Sequence, residues 1–324
     1  MEREFLLPHQ ALLISRIDTA LEEVRNGSNS QGILFIGASG SGKTHALDVA
    51  TRSLRQRKDG HQRIIPCCRV GADATASTAS IASAILVQLG VPLHVSSQLK
   101  PKQLEPMVMD ALRACEVQLL IFEELHNALK ASSRQLRGQL SRFLKNLWNL
   151  SPADSSSNWA RPDRTRGDHR LVILASGTDE LKDVFYHQEQ KELQSRFGCL
   201  VEATKLSFSP SESFRAFRGV LAAMIRRSQL NHKLSATDNE VASRTLIACD
   251  GHLRVLETIL CRSATLERRS ANSMNSLELL ACAFDEVGGE TTSERNPFRW
   301  STAEIAARIK KCLATHKIKS AKGT

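Results

Sequence analysis

Residues Gly32–Ala46 read GILFIGASGSGKTHA, and the interpretation of the whole chain starts there. Four apolar residues, Ile33 to Ile36, lead into a glycine-rich turn, after which Lys43-Thr44 opens a segment with helical periodicity. That order of strand, turn and helix is the context required by the G-x-x-x-x-G-K-[ST] phosphate loop. Gly37, Gly40 and Gly42 permit turns with positive φ, so the backbone N–H groups of a loop running through Ala38, Ser39 and Ser41 can approach phosphate oxygens. The following helix adds the positive end of its dipole. Lys43 is expected to meet the β- and γ-phosphates of ATP as a point charge, and the Thr44 hydroxyl to complete the shell of a phosphate-bound Mg²⁺.

A second run, Val117–Glu124 (VQLLIFEE), is a hydrophobic strand ending in two acidic residues and followed by LHNAL. In such a pair the first carboxylate, Glu123, serves the magnesium shell and the second, Glu124, polarises an attacking water. Glu123 stands where Asp is usual, and its extra methylene could loosen the metal geometry and slow hydrolysis. A third buried strand, Leu171 to Ala175, delivers Ser176 and Thr178 at its end. Either could touch a γ-phosphate or the attacking water, although Ser-Gly-Thr is also simple turn chemistry.

With 324 residues and 41% hydrophobic content the chain can bury a large core and is expected to divide into domains. No apolar run approaches the roughly 18 to 20 residues of a membrane helix, and MEREFLLPHQ lacks a signal peptide's apolar stretch, so a cytoplasmic, membrane-free protein is expected. Eight cysteines contain no C-x-x-C pair; Cys115, Cys249, Cys261 and Cys282 sit among apolar neighbours as reduced, packed thiols do, and Cys67-Cys68 reads as strand interior. A net charge of +10 favours an anionic partner, most simply nucleic acid.

Periodicity organises the rest. Leu12–Val24 forms a helical stripe, His45–Arg57 a basic helix, Arg63–Val70 a second strand, and helices follow near 81–90 and 104–114. Ser132–Leu150 is amphipathic: Leu136, Leu140, Phe143, Leu144 and Leu147 share one face, and Arg134, Arg137, Arg142 and Lys145 the other. That basic stripe is either a solvated face or a surface that tracks DNA phosphates. Residues 151–169, poor in apolar side chains, are expected to loop, with Arg161, Arg164, Arg166 and Arg170 available to a partner. Arg196 precedes a short apolar strand, where it could be an ordinary surface residue. From Ser209 the pattern is wholly helical. The expected fold is α/β, a nucleotide-binding parallel-sheet domain over 1–206, a helical domain over 207–290, and a linker, short helix and basic tail over 291–324.

Together these features resemble the AAA+ ATPases, and within them the TniB/TnsC regulators of cut-and-paste DNA transposition. The resemblance is carried by GASGSGKT, LLIFEELHNAL with its histidine, ASGTDEL, QSRF and GHLRVLETIL, and it spans roughly Phe5 to Val287. It implies a P-loop AAA+ core with a helical lid, Glu124 as the water-polarising carboxylate, and Thr178, or else Ser176, as first sensor. It also implies Arg196 as a finger reaching a neighbouring subunit's γ-phosphate and Arg254 as second sensor. The implied assembly is a ring or helical filament on duplex DNA that links a TniQ-type target-selection protein to a transposase. Two other readings share the same motifs: a DNA-remodelling ATPase such as a helicase loader, and an ATP-switched scaffold with little turnover.

Overall fold

Each central strand is a continuous apolar run because both of its faces are covered. The computed structural model describes residues 6–72, 77–98, 101–131, 134–149, 169–185, 191–230, 234–269, 274–288 and 295–321. In chain order these contain α1 (Pro8–Arg25), β1 (Gln31–Gly37), α2 (Lys43–Ala50), β2 (Arg57–Asp59), β3 (Gln62–Ile64), β4 (Cys67–Gly71), α3 (Thr78–Gln88), α4 (Leu93–Gln98) and α5 (Pro101–Ala114). There follow β5 (Leu119–Glu123), α6 (Leu125–Ala131), α7 (Arg134–Trp148), β6 (Val172–Gly177), α8 (Asp179–Phe185), α9 (Lys191–Arg196) and β7 (Cys199–Ala203). The helical remainder is α10 (Ser211–Ser228), α11 (Asn239–Cys249), α12 (Leu253–Arg269), α13 (Ser276–Gly288) and α14 (Thr302–Ala321).

Two compact units result. One holds residues 9–38 and 43–203; the other holds 1–8, 39–42 and 204–324. In the first, five parallel strands lie in the order β4-β5-β6-β1-β7. Alternation along β1 sends Ile33 and Phe35 into a core with Leu13 and Ile17 of α1 and Leu47 of α2. Leu34 and Ile36 enter the opposite core with Ile81 and Ile85 of α3, Val108 of α5 and Phe143 of α7. The buried face of α7 is the expected one, through Leu140, Phe143, Leu144 and Leu147. No helix of the described residues is long and apolar enough to cross a membrane.

Several expectations need correction. The helix after the phosphate loop stops at Ala50 rather than Arg57, because Thr51–Leu54 turn away and Arg57–Asp59 enter a hairpin. The strand expected over 63–70 is two strands. Pro66 interrupts it, having no N–H to offer a ladder, and its carbonyl instead accepts from the N–H groups of Gln118 and Leu119, both at 2.9 Å. Cys115 and Cys249 are buried as expected, whereas Cys261 is exposed. Burial pushes the Cys67 and Cys68 thiols up to about 12, so they are neutral packing groups in β4. Of the loop expected over 151–169, residues 151–168 lie outside the described residues; Arg170, just beyond it, hydrogen-bonds the Gly27 carbonyl.

The C-terminal segment differs most. Asn296 is fully buried and donates to the Ala281 carbonyl and to Asp285, both at 2.8 Å, while Phe298 joins the core of the helical unit. Arg244 clamps the Pro297 carbonyl at 2.6 Å. In place of a short helix and a tail, α14 runs for 20 residues. Ser301 and Glu304 start it with a capping box: the Glu304 N–H donates to Ser301 Oγ at 3.3 Å, and Ser301 N–H to Glu304 Oε2 at 2.7 Å.

Gly32 shows how tightly β1 is enclosed. A Cβ there would lie 2.6 Å from the Arg196 carbonyl oxygen and 2.8 Å from the Trp148 ring. Gly32→Ala should therefore cost about 2–3 kcal/mol. Gly138→Ala in α7, where a Cβ meets open space, should be neutral or stabilising by up to about 1 kcal/mol. Thermal denaturation of the two variants checks the contrast, and equal melting temperatures would refute it.

Candidate active site

The phosphate loop begins where β1 ends. Gly40 and Gly42 have φ of +77° and +86°, the left-handed values for which glycine is suited. Lys43 opens α2 and is 6% exposed. A buried ammonium needs acceptors, and it donates to the Gly37 carbonyl at 2.8 Å and the Ala38 carbonyl at 3.2 Å. Ser41 Oγ is buried without a hydrogen-bond partner, a hydroxyl placed for an incoming acceptor. Thr44 is exposed on the first turn of α2. Residues 39–42 group with the helical unit. There the Leu253 N–H donates to the Gly40 carbonyl at 3.0 Å, His252 Nδ1 lies 3.1 Å from the Ser39 carbonyl oxygen, and the exposed Arg254 follows on the first turn of α12.

At the end of β5 the two glutamates diverge. Glu123 continues the alternation of Leu119 and Ile121, so it emerges on the α2 side of the sheet. Its Oε1 accepts from Arg69 Nε at 2.9 Å and lies 2.8 Å from the outer guanidinium nitrogen. The other arm of Arg69 reaches Asp48 Oδ1 on α2 at 2.6 Å. Burial works against the charge of Arg69, but its hydrogen bond to Asp48 and its pairing with Glu123 outweigh burial and raise its pKa. Glu124 leaves the strand at φ +52°. This left-handed step brings its Oε1 to 3.9 Å from Lys43 Nζ.

His126, nearly buried, closes the group. Its Nδ1 lies 3.3 Å from Glu124 Oε2 and 3.4 Å from the Thr178 backbone nitrogen. A bare Nδ1 accepts from the Thr178 N–H, and a protonated one donates to Glu124, so one ring nitrogen serves either the carboxylate or the end of β6. Thr178 presents its hydroxyl to Glu180 Oε2 at 3.0 Å across the first turn of α8. Ser176 is 2% exposed and is the penultimate residue of β6.

The structure thus brings Lys43, Glu124, His126 and Thr178 together, with Glu123 beside them under the hold of Arg69. Arg196 ends α9, with one guanidinium nitrogen buried and without a hydrogen-bond partner. Arg137 and Arg142 are exposed and Lys145 is half-buried on α7; the Arg134 side chain lies outside the described residues. The sequence reading passed over Arg69, although a lone arginine inside the apolar run of β4 is a visible signal. It also passed over His252, and it noted His126 only through resemblance.

Residues 5–152 match the family model described as Bacterial TniB protein. Among curated proteins none matches. Among solved structures, the Aeropyrum pernix ORC2 protein in ADPNP and ADP complexes shares 14% identity at a TM-score of 0.60, covering 88% of this chain and 70% of that one. Cdc6p from Pyrobaculum aerophilum shares 14% identity at a TM-score of 0.61, covering 91% and 72%. The Aeropyrum pernix ORC1 protein in complex with DNA shares 15% at 0.58, covering 90% and 68%. At these identities the likeness is one of fold, that of the AAA+ proteins.

If His126 orients Glu124, His126→Ala should lower ATP turnover about tenfold while nucleotide affinity stays within about twofold. His126→Asn, which can return a polar atom near the Nδ1 position, should recover part of the loss. Steady-state turnover beside nucleotide titration measures both. Full turnover in the Ala variant would show that Glu124 needs no such partner.

Proposed function

We propose that this chain, whose residues 5–152 match the Bacterial TniB family model, is an ATP-hydrolysing AAA+ regulator of DNA transposition that assembles on duplex DNA and links a target-selection protein to a transposase. The observation that carries the reading is the pairing of Lys43 and Glu124 across the end of β1, inside the segment that matches the family. Lys43 now satisfies its charge on two carbonyls of its own loop. Triphosphate oxygens would replace those acceptors and draw the ammonium away from Glu124, freeing that carboxylate to polarise a water. The residues fit the cofactor: Thr44 and Glu123 supply hard oxygen donors on the α2 side, and Mg²⁺ held there would neutralise charge on the phosphates.

Arg196 is assigned to the neighbouring subunit's nucleotide, and its buried, unpartnered nitrogen supports that reading. Arg254 on α12 is assigned as second sensor and Thr178 as first. Arg137 and Arg142, with Lys145 and Arg134 on the same helix, are assigned to DNA phosphates, which gives affinity without sequence preference and leaves target choice to a partner. The Aeropyrum pernix ORC1 protein, similar in fold, is in complex with DNA, and that supports DNA as a ligand. The basic helix α14 is assigned to the transposase or another partner. A switch with little turnover is the second reading, favoured by the ion pair that holds Glu123.

Three measurements test this. Lys43→Ala should abolish tight ATP binding and ATP-dependent DNA binding together, and retention of either overturns the phosphate-loop assignment. Glu124→Gln should bind ATP, nearly stop hydrolysis and persist on DNA; mixed with Arg196→Ala subunits, it should regain part of the lost turnover. No recovery at any ratio would place the whole site within one chain. Truncation after Ala307 keeps the Ser301 cap and the buried Ile305; it should spare DNA-stimulated turnover and lose transposase recruitment. Loss of DNA affinity on truncation would reassign α14 to DNA.

A further inference from the structure

Arg69 sits where an ATPase of this fold can least ignore a positive charge. It projects from β4 on the same side of the sheet as Glu123, and it spans from that carboxylate to Asp48. Asp48 lies four residues beyond Thr44 on α2, one helical turn along the same face. The guanidinium therefore lies between the strand end that carries Glu123 and the helix face that carries Thr44, with both arms engaged. Planar, permanently charged and three-quarters buried, it is a durable partner for the carboxylate.

We propose that Arg69 is a positioning residue that withholds Glu123 from magnesium, so that the metal arriving with a nucleoside triphosphate gains this carboxylate only when the Arg69–Glu123 pair opens. The inference rests on the nucleotide-binding reading above and adds a regulatory step to it. Nucleotide bound without magnesium leaves the pair closed and the first carboxylate silent. At sufficient magnesium the ion would take the place of the guanidinium at Glu123, while Asp48 keeps its hold on the other arm of Arg69. The extra methylene of Glu123, relative to the usual Asp, has a use here: it gives the carboxylate the reach to serve two cations in turn. Magnesium supply, and not nucleotide alone, then sets when the site becomes competent.

The test measures binding and not turnover. A fluorescent ATP analogue is titrated into the full-length protein at magnesium concentrations from excess EDTA to saturation, and the magnesium half-saturation is read for each variant. Arg69→Gln should lower that half-saturation about tenfold, the scale of one charge-assisted pair, and Arg69→Lys should fall between it and the wild type. In a Glu123→Gln background the Arg69→Gln substitution should have no further effect on magnesium dependence, because the group for which the two cations compete has gone. A purely structural Arg69 would lower stability, followed by thermal melting, and leave the magnesium half-saturation unchanged in both backgrounds; that result overturns the proposal. An equal shift with and without the Glu123 carboxylate also overturns it, since the effect would then not pass through Glu123. If the wild-type protein binds no analogue at any magnesium concentration, the nucleotide-binding reading itself falls. Binding with unaltered magnesium dependence in Arg69→Gln removes only the role of Arg69.

Discussion

Parallel pairing of β1 between β6 and β7 is the constraint from which the site follows. A strand flanked on both sides and covered on both faces cannot shift its register without turning buried side chains toward the wrong core. Its end is fixed as a result, and so are the ends of its neighbours: Ile36 pairs with Gly177, Gly37 with Ala203, and Gly71 with Glu123. Lys43, Glu124, His126 and Thr178 all follow β1, β5 or β6 at one edge of that sheet, where these parallel strands end. The chemistry is placed by hydrophobic burial several residues away from it.

At that edge, local backbone geometry decides which carboxylate does what. Consecutive strand residues point to opposite faces, so an undistorted Glu123-Glu124 pair would be split by the sheet. The left-handed step at Glu124 re-aims the second carboxylate toward Lys43 and His126, while Glu123 keeps its strand direction and meets Arg69. A positive φ at a non-glycine residue costs on the order of 1 kcal/mol or more. The step is held by α6, whose Asn127 N–H donates to the Glu124 carbonyl at 2.9 Å.

The sheet was legible because its central strands are near-continuous apolar runs, and the phosphate loop because its glycines, Lys43 and Thr44 stand close together in the sequence. Charge misled where it was read as tail: the lysines of α14 concealed a helix whose Ser301-x-x-Glu304 start was already in the sequence. Pro66 was the overlooked signal for the break between β3 and β4. Arg69, His126 and Thr178 were harder for a physical reason. Their partners lie 21 to 54 residues away or across a strand end, and spacing along a chain carries no information about such contacts until the strand order is known.

The charged groups of the candidate site satisfy one another within the fold. Lys43 rests on its own loop's carbonyls, Glu123 rests on Arg69, and Glu124 lies between Lys43 and His126. A buried charge such as that of Lys43, left unpaired, would cost several kcal/mol, so internal acceptors of this kind are what a stable fold requires there. The same pairing sets a condition on activation. A polyanion alone satisfies Lys43 yet offers nothing to Glu123, and a divalent cation alone offers nothing to Lys43. Only the two together exchange both internal pairs for external ones without leaving a charge stranded. On the proposed reading, the pairing that satisfies Lys43 and Glu123 within the fold would also make the site discriminate a metal-bound triphosphate from either component by itself.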